Sequence, residues 1–292
     1  MKLRAFGRTG LDVPPIGLGG FPFGGVHRTK GWDPFSADGR RTAIATIHRA
    51  LERGINYVDT APSYGDGNSE SIFGEALQGR RDSVTLATKC AWNVSADDVI
   101  SSLEQSLRRL RTDFVDVLQL HGGMFTGENV EHIMHGGPLD ALRRAREQGK
   151  VRFIGFTAEE PWTARPLIAS GAFDVVQLRY NLIYQSAALH ALPEARDAGL
   201  GVAVMRPMTS GMLQRILHFL KPEWRDASYV VALQFVLSDS RVHVANVGMR
   251  WPDEVDRNVD LAERFEPPTD FSDLPRLTAG IYRVEDQEAS AI

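Results

Sequence analysis

Val84-Thr85-Leu86-Ala87-Thr88 and Val115-Asp116-Val117-Leu118-Gln119-Leu120, with Ala96–Leu110 between them, decide the fold. The two outer runs are short, β-branched and mostly apolar on both faces, as a strand buried between two layers requires. The middle segment has helical periodicity, and Ser95 stands before it as an N-cap that accepts from first-turn N–H groups. Strand, helix and strand in this order make a parallel unit, because parallel strands need a long crossover between them.

The unit repeats in both directions. Further strands are read at Ile16–Gly19, Ile55–Val58, Val151–Phe156, Val175–Leu178, Val202–Met205 and Val242–Val247. Helices are read at Thr42–Arg53, Ser69–Gln78, Leu139–Gln148, Trp162–Ala169, Ala187–Ala198, Asp226–Leu237 and Asp253–Arg264. Gly149, Gly171 and Gly199 each stand just past a helix end, where a left-handed residue is wanted. About eight alternations predict an α/β fold, a (β/α)8 TIM barrel, as one domain over residues 1–292. The rival, an open doubly wound sheet, fails at Gly17-Leu18-Gly19-Gly20-Phe21-Pro22: the spacing is not G-x-G-x-x-G, and Pro22 opens no helix. Gly7-Arg8-Thr9-Gly10, flanked by Leu3–Phe6 and Val13-Pro14, predicts an N-terminal β-hairpin closing the barrel floor. Long loops are expected from Gly20 to Asp38 and from Gly122 to Gly137, as lids or substrate walls. The polar tail after residue 265 is expected to be partly loose.

A net charge of −4 argues against a nucleic-acid partner, which demands clustered positive charge. The single cysteine, Cys90, excludes an internal disulfide and a multi-cysteine zinc site. No apolar run reaches the roughly 18 residues of a membrane span, and Met1–Phe6 lacks a signal-peptide core, so a cytoplasmic setting is expected.

Chemistry in such a barrel gathers where strands meet the following loops. The strand at Ile55–Val58 runs into Asp59, with Tyr64 in the adjoining loop; Val84–Thr88 runs into Lys89; Val115–Leu120 runs into His121. Each residue alone reads as a paired surface or core group, but together on consecutive strands they form a constellation. A phenol is a poor acid at neutral pH, and a nearby ammonium favours its phenolate and lowers its pKa. Lys89 supplies that charge if Asp59 holds it, and His121 can orient a substrate oxygen. The group is equipped to protonate an oxyanion forming at a carbonyl, with hydride transfer as the partner step.

The segments Gly54-Ile55-Asn56-Tyr57-Val58-Asp59-Thr60-Ala61-Pro62-Ser63-Tyr64-Gly65, Ala87-Thr88-Lys89 and Leu118-Gln119-Leu120-His121 resemble the signatures of the aldo-keto reductases. Gly7-Arg8-Thr9-Gly10-Leu11, Gly149-Lys150-Val151-Arg152-Phe153-Ile154-Gly155 and Gln177-Leu178-Arg179-Tyr180-Asn181 extend the resemblance from about Leu3 to Phe265. It implies a (β/α)8 barrel, NAD(P)H-dependent reduction of an aldehyde or ketone or the reverse, and the tetrad Asp59, Tyr64, Lys89 and His121 with Tyr64 as general acid. It also implies cofactor contacts at Gly20, Thr157, Gln177, Met205, Arg206, Ser210, Gly211, Gly248, Met249, Arg250, Glu254 and Asn258. Three positions depart from the pattern: Ala158 stands where Asn is common, Met205 where an aromatic often stacks, and Arg206 replaces a small residue. Arg250 offers a guanidinium fork to a 2′-phosphate while Glu254 repels one; the balance favours NADP(H), with NAD(H) possible. A small-molecule carbonyl or alcohol is the expected substrate, walled by Phe21, Phe23, Trp92 and Phe125. His132 and His135 lack a third ligand, so no metal is expected. The alternatives are a cofactor-binding sensory barrel with little turnover and an isomerase or aldolase using Lys89.

Overall fold

The computed structural model describes residues 1–26, 31–215 and 225–264. Eight parallel strands close into a barrel: β3 (Ile16–Gly19), β4 (Tyr57–Asp59), β5 (Thr85–Cys90), β6 (Val115–His121), β7 (Val151–Ala158), β8 (Val175–Arg179), β9 (Gly201–Met205) and β10 (Val244–Gly248). They pair in chain order, and β10 returns to β3 with Ala245 opposite Ile16. Helices cover the outside: α1 (Ala37–Glu52), α2 (Asn68–Ala76), α3 (Ala96–Leu110), α4 (Gly127–His135), α5 (Pro138–Glu147), α6 (Arg165–Ala169), α7 (Ala191–Asp197), α8 (Arg225–Ser238) and α9 (Pro252–Glu263). The expected barrel is therefore the observed one.

Local chemistry sets the element ends. Ser95 caps α3 in a reciprocal box with Asp98. Gly149, Gly171 and Gly199 take φ of 73°, 67° and 68°, the left-handed turn expected of them.

Several expectations need correction. The helices read at Trp162–Ala169 and Ala187–Ala198 each begin as a 3-10 turn, over Pro161–Ala164 and Ser186–Ala188, before α6 and α7. Helix α1 begins at Ala37 rather than Thr42, because the Ser36 hydroxyl accepts from Gly39 N at 3.0 Å and starts the helix ahead of its apolar periodicity. The Gly122–Gly137 segment is not a plain loop but carries α4, capped reciprocally by Thr126 and Asn129. With only Ile133 fully buried, its helical period leaves little apolar trace in the sequence. The expected loop to Asp38 crosses residues 27–30, and the tail after 265 begins beyond the last described residue; both lie partly or wholly outside the described residues.

The hairpin of β1 (Arg4–Ala5) and β2 (Asp12–Val13) seals the end where the strands start. Phe6 and Val13, both fully buried, pack with Tyr57, Ala87, Val117, Val175, Ala203 and Val244 in one cluster distinct from the main core. Arg4 donates to Val242 O at 2.7 Å and Arg8 to Phe173 O at 2.7 Å, fastening the hairpin beneath β10 and β8. Gly7 is required at its tip: φ is 56°, and a Cβ would stand 2.4 Å from the Leu200–Gly201 backbone. The larger core lies between strands and helices. No helix among the described residues is long and apolar enough to cross a membrane.

Candidate active site

Strand alternation carries the interior face upward two residues at a time. Above Tyr57, Ala87, Val117, Val175 and Val244 come Asp59, Lys89, Gln119, Gln177 and Asn246 on the same faces, and every one of these five is buried. The apolar floor thus gives way to a polar layer at the strand ends. Neighbouring registers keep it level, with Asp59 beside Ala87, Lys89 beside Gln119, His121 beside Thr157 and Thr157 beside Gln177.

Lys89 Nζ donates to Asp59 Oδ2 at 2.6 Å and to Thr60 O at 2.8 Å. Its ammonium also lies 4.9 Å from the centre of the Tyr64 ring. Tyr64 meets Phe21 and His121 edge to face, at 5.1 and 5.8 Å between centroids. Two loops fix its backbone by touching at glycines: a Cβ on Gly24 would lie 2.6 Å from Tyr64 C, and one on Gly65 2.6 Å from Gly24 O. Ser63 Oγ stands 3.4 Å from His121 Nδ1.

Burial works against the Lys89 ammonium, but Asp59 and Tyr64 together outweigh it and raise its pKa, so the charge persists. Burial, reinforced by Lys89, pushes His121 down to about 3, leaving a neutral imidazole. Burial raises the Tyr64 phenol above its ordinary value, and Lys89 pulls the other way without prevailing. The expectation that Lys89 lowers this phenol is corrected accordingly: desolvation is the larger effect, and Tyr64 keeps its proton at neutral pH. Burial likewise lifts the Cys90 thiol to about 12, which makes it an inert core group.

These side chains open into a cavity of about 1000 Å³ that runs from Tyr64 and His121 to Arg250 and Glu254, across the ends of β7 to β10. It exceeds what a small carbonyl compound needs and suits an extended ligand with a substrate beside it. Two buried atoms on its walls, Asn246 Oδ1 and Gln214 Nε2, have no hydrogen-bond partner among the described residues.

The family model for the aldo/keto reductase family matches residues 15–226. The chain belongs to this family. It is 31% identical to L-galactose dehydrogenase of Arabidopsis thaliana, over 91% of this chain and 89% of that protein. It is 30% identical to the NADH-specific methylglyoxal reductase of Escherichia coli, over 73% and 69% of the two chains. Among solved structures, an aldo-keto reductase from Bacillus halodurans in its holo form superposes with a TM-score of 0.75 at 26% identity, covering 92% of this chain and 93% of that one. This aldo/keto reductase is an NAD(P)H-dependent oxidoreductase acting on carbonyl compounds or their alcohols. The residues present fit the dinucleotide: the orphaned Asn246 and Gln214 atoms offer an acceptor and a donor inside a cavity of the right extent.

The structure brings most of the expected site residues of the reductase to this cavity. Asp59, Tyr64, Lys89, His121 and Phe21 line one end. Thr157, Gln177, Met205, Arg206, Ser210 and Gly211 line the middle, and Gly248, Arg250 and Glu254 the far end. Several have prior engagements. Thr157 Oγ1 is shared between Gly122 N and Gly122 O, each at 3.0 Å. Gln177 Oε1 accepts from Asn246 Nδ2 at 3.2 Å. Arg206, at φ 56°, is paired with Glu159 at 2.7 Å and bonded to Ser210 at 3.0 Å.

Six expected residues are not on the cavity wall. Phe23 is wholly buried against Phe73 and Trp32, since the short 3-10 turn Phe21–Gly24 sends Phe21 out and Phe23 in. Trp92 and Phe125 meet edge to face, 5.7 Å between centroids, with Phe125 lying over Gly122 and reaching Phe156 beneath the loop after β6. Strand alternation turns Met249 into the core beside Gly248. Asn258 Nδ2 is committed to Glu254 O at 2.8 Å. Gly20 spends its N–H on Asp59 O and its carbonyl on the Ser69 hydroxyl.

Sequence reasoning missed Ser63, Gln119, Glu159, Gln214 and Asn246. For Gln119 and Asn246 the signal was present, an uncharged polar residue two positions after an apolar inward residue, Val117 and Val244. Among the described residues no cluster of three or more His, Cys, Asp or Glu side chains is placed to hold a metal.

Proposed function

We propose that Tyr64 is the general acid for carbonyl reduction, held in place by Lys89 and Asp59, with His121 orienting the substrate oxygen and NADP(H) as the preferred cofactor. The observation that carries this reading is the buried Asp59–Lys89 pair lying against the Tyr64 ring at the inner end of the cavity.

A bound nicotinamide would supply a hydride, and with it the electron pair, to the carbonyl carbon. The chain's own groups do the rest. Tyr64, protonated at neutral pH, has a hydroxyl proton to give to the oxygen as negative charge grows there. The Lys89 ammonium steadies the phenolate that results, and Asp59 keeps the ammonium from wandering toward solvent. A neutral His121 contributes a hydrogen bond without adding a second positive charge beside Lys89. Removing water from this buried corner strengthens each of these interactions.

Cofactor preference turns on Arg250 and Glu254. One Glu254 oxygen accepts from the Arg250 backbone N–H at 2.6 Å and the other pairs with Arg250 Nη2 at 3.2 Å. The carboxylate is thereby occupied in shaping the loop, which weakens its repulsion of a 2′-phosphate, while Arg250 keeps further donors. The name of the Escherichia coli relative carries NADH specificity, so both cofactors belong in the assay.

The deciding experiment is quenching of protein fluorescence by NADPH and NADH, followed by their consumption with neutral aldehydes, ketones and sugars. Quenching followed by turnover is expected. Turnover with NADH at least about tenfold more efficient than with NADPH would reverse the cofactor assignment.

A further inference from the structure

Asp59 is almost sealed from water, so a carboxylate there needs partners on both oxygens. Lys89 takes Oδ2 at 2.6 Å, and Gln119 Nε2 donates to Oδ1 over 3.2 Å. Gln119 is fully buried and is the register partner of Lys89, so the two side chains rise from one level of adjacent strands. The amide has one admissible orientation. Turned over, it would set its carbonyl oxygen against the carboxylate. Its Oε1 is consequently directed elsewhere, and among the described residues it has no partner. A buried acceptor left unpaired is costly, and an apolar side chain at this place would avoid that cost. The position makes sense through its donor.

We propose that Gln119 is a positioning residue of the reductase, clamping Asp59 so that Oδ2 alone faces Lys89 and the ammonium stays under Tyr64. The proposal rests on the reading of Tyr64 as proton donor. Without the clamp, Oδ1 competes for Lys89 and draws Nζ away from Thr60 O and the Tyr64 ring.

Gln119 is not on the cavity wall, so cofactor binding is expected to be indifferent to it. The titratable groups around it are Asp59 and Tyr57 on β4, Lys89 and Cys90 on β5, His121 on its own strand, and Tyr64 above. Near neutral pH, His121 has already lost its proton, while Tyr57, Tyr64, Lys89 and Cys90 hold theirs. A new pH dependence introduced at this position is therefore readable.

The test pairs Gln119→Met with Gln119→Glu and includes Tyr64→Phe in the same assays. The Met variant is expected to lose roughly tenfold or more in kcat with cofactor KM unchanged. In the Glu variant the introduced carboxyl, while protonated, donates to Asp59 as the amide does; once ionised it repels Asp59. Its kcat relative to the parent at the same pH should therefore be high on the acid side and fall about tenfold as pH rises, reversibly and with the melting curve intact. A merely structural glutamine gives no such reversible change, so this arm decides even if the Met variant does not fold. The proposal is overturned if a folded Met variant keeps kcat within about twofold, or if the Glu variant follows the parent's pH profile. If Tyr64→Phe retains turnover, the proton-donor reading fails instead, independently of either glutamine variant.

Discussion

The barrel interior has two layers made by the same strands, and they behave as opposites. Tyr57, Ala87, Val117, Val175, Ala203 and Val244 close on Phe6 and Val13 of the hairpin to form a dry floor. Two residues further along, Asp59, Lys89, Gln119, Gln177 and Asn246 form a buried polar ceiling, and all of these but Gln119 line the cavity. The floor gains free energy from every apolar contact. The ceiling loses it wherever a polar atom goes unmatched: among the described residues Gln119 Oε1 and Asn246 Oδ1 have no partner, while in the floor only the Tyr57 hydroxyl is left so. A short run of backbone can thus hold a stabilising layer and a working layer, provided the first carries the second.

The sharpest way to break the comparison is to strike the ceiling. Tyr64→Phe is expected to cut kcat by about 10²–10⁴-fold while fluorescence quenching by cofactor persists, because the phenol acts on substrate. Lys89→Met should cost a similar amount, since it removes the one charge opposing the burial-raised pKa of Tyr64. A Tyr64→Phe enzyme holding a tenth of the parent kcat would sink the assignment.

Striking the floor should do the reverse. Phe6 is fully buried and meets Tyr57 edge to face at 5.5 Å. Phe6→Ala should cost roughly 3–5 kcal/mol in a denaturant titration and leave kcat/KM of the folded fraction nearly unchanged. Equal losses in stability and turnover would mean that the two layers are not separable.

A third test reads the ceiling through acid. An unfolded chain protonates His121 near 6.5, whereas the folded protein refuses the proton until about 3. The unfolded state therefore binds more protons in that window, and stability falls as pH drops through it. Burial and then Arg4 lower His243 as well, adding to the same trend. His121→Asn should flatten the pH dependence of the urea midpoint between pH 6.5 and 4; identical slopes would contradict a neutral buried imidazole.

The smallest effect is expected at the rim, far from both layers. Glu254→Gln should improve NADPH affinity by a few-fold, on the order of 1 kcal/mol or less, with NADH little changed. A larger gain for NADH would assign cofactor selection to another residue.

Much of this was legible because its signals are local. Alternating runs gave the strands, Ser95 and the three C-terminal glycines gave helix ends, and Asp59, Lys89 and His121 announced themselves as polar residues at the ends of apolar strands. The aromatic wall was not legible. Phe21 and Phe23 are two residues apart in one turn, yet one is 43% exposed and the other fully buried. Nothing in the composition of that turn separates them; the separation comes from Phe73, far along the chain, and Trp32, beyond the following loop, which both pack on one side.

What the sequence alone determined is the barrel, its hairpin and the strand ends that face one mouth, since periodicity and turn chemistry act over a few residues. Tertiary structure decided the protonation of Tyr64, the pairing of Arg206 with Glu159 and of Arg250 with Glu254, and the clamp of Gln119 on Asp59. Each of these depends on burial or on a partner between 4 and 60 residues away, and both are properties of the closed barrel and its loops rather than of any one segment.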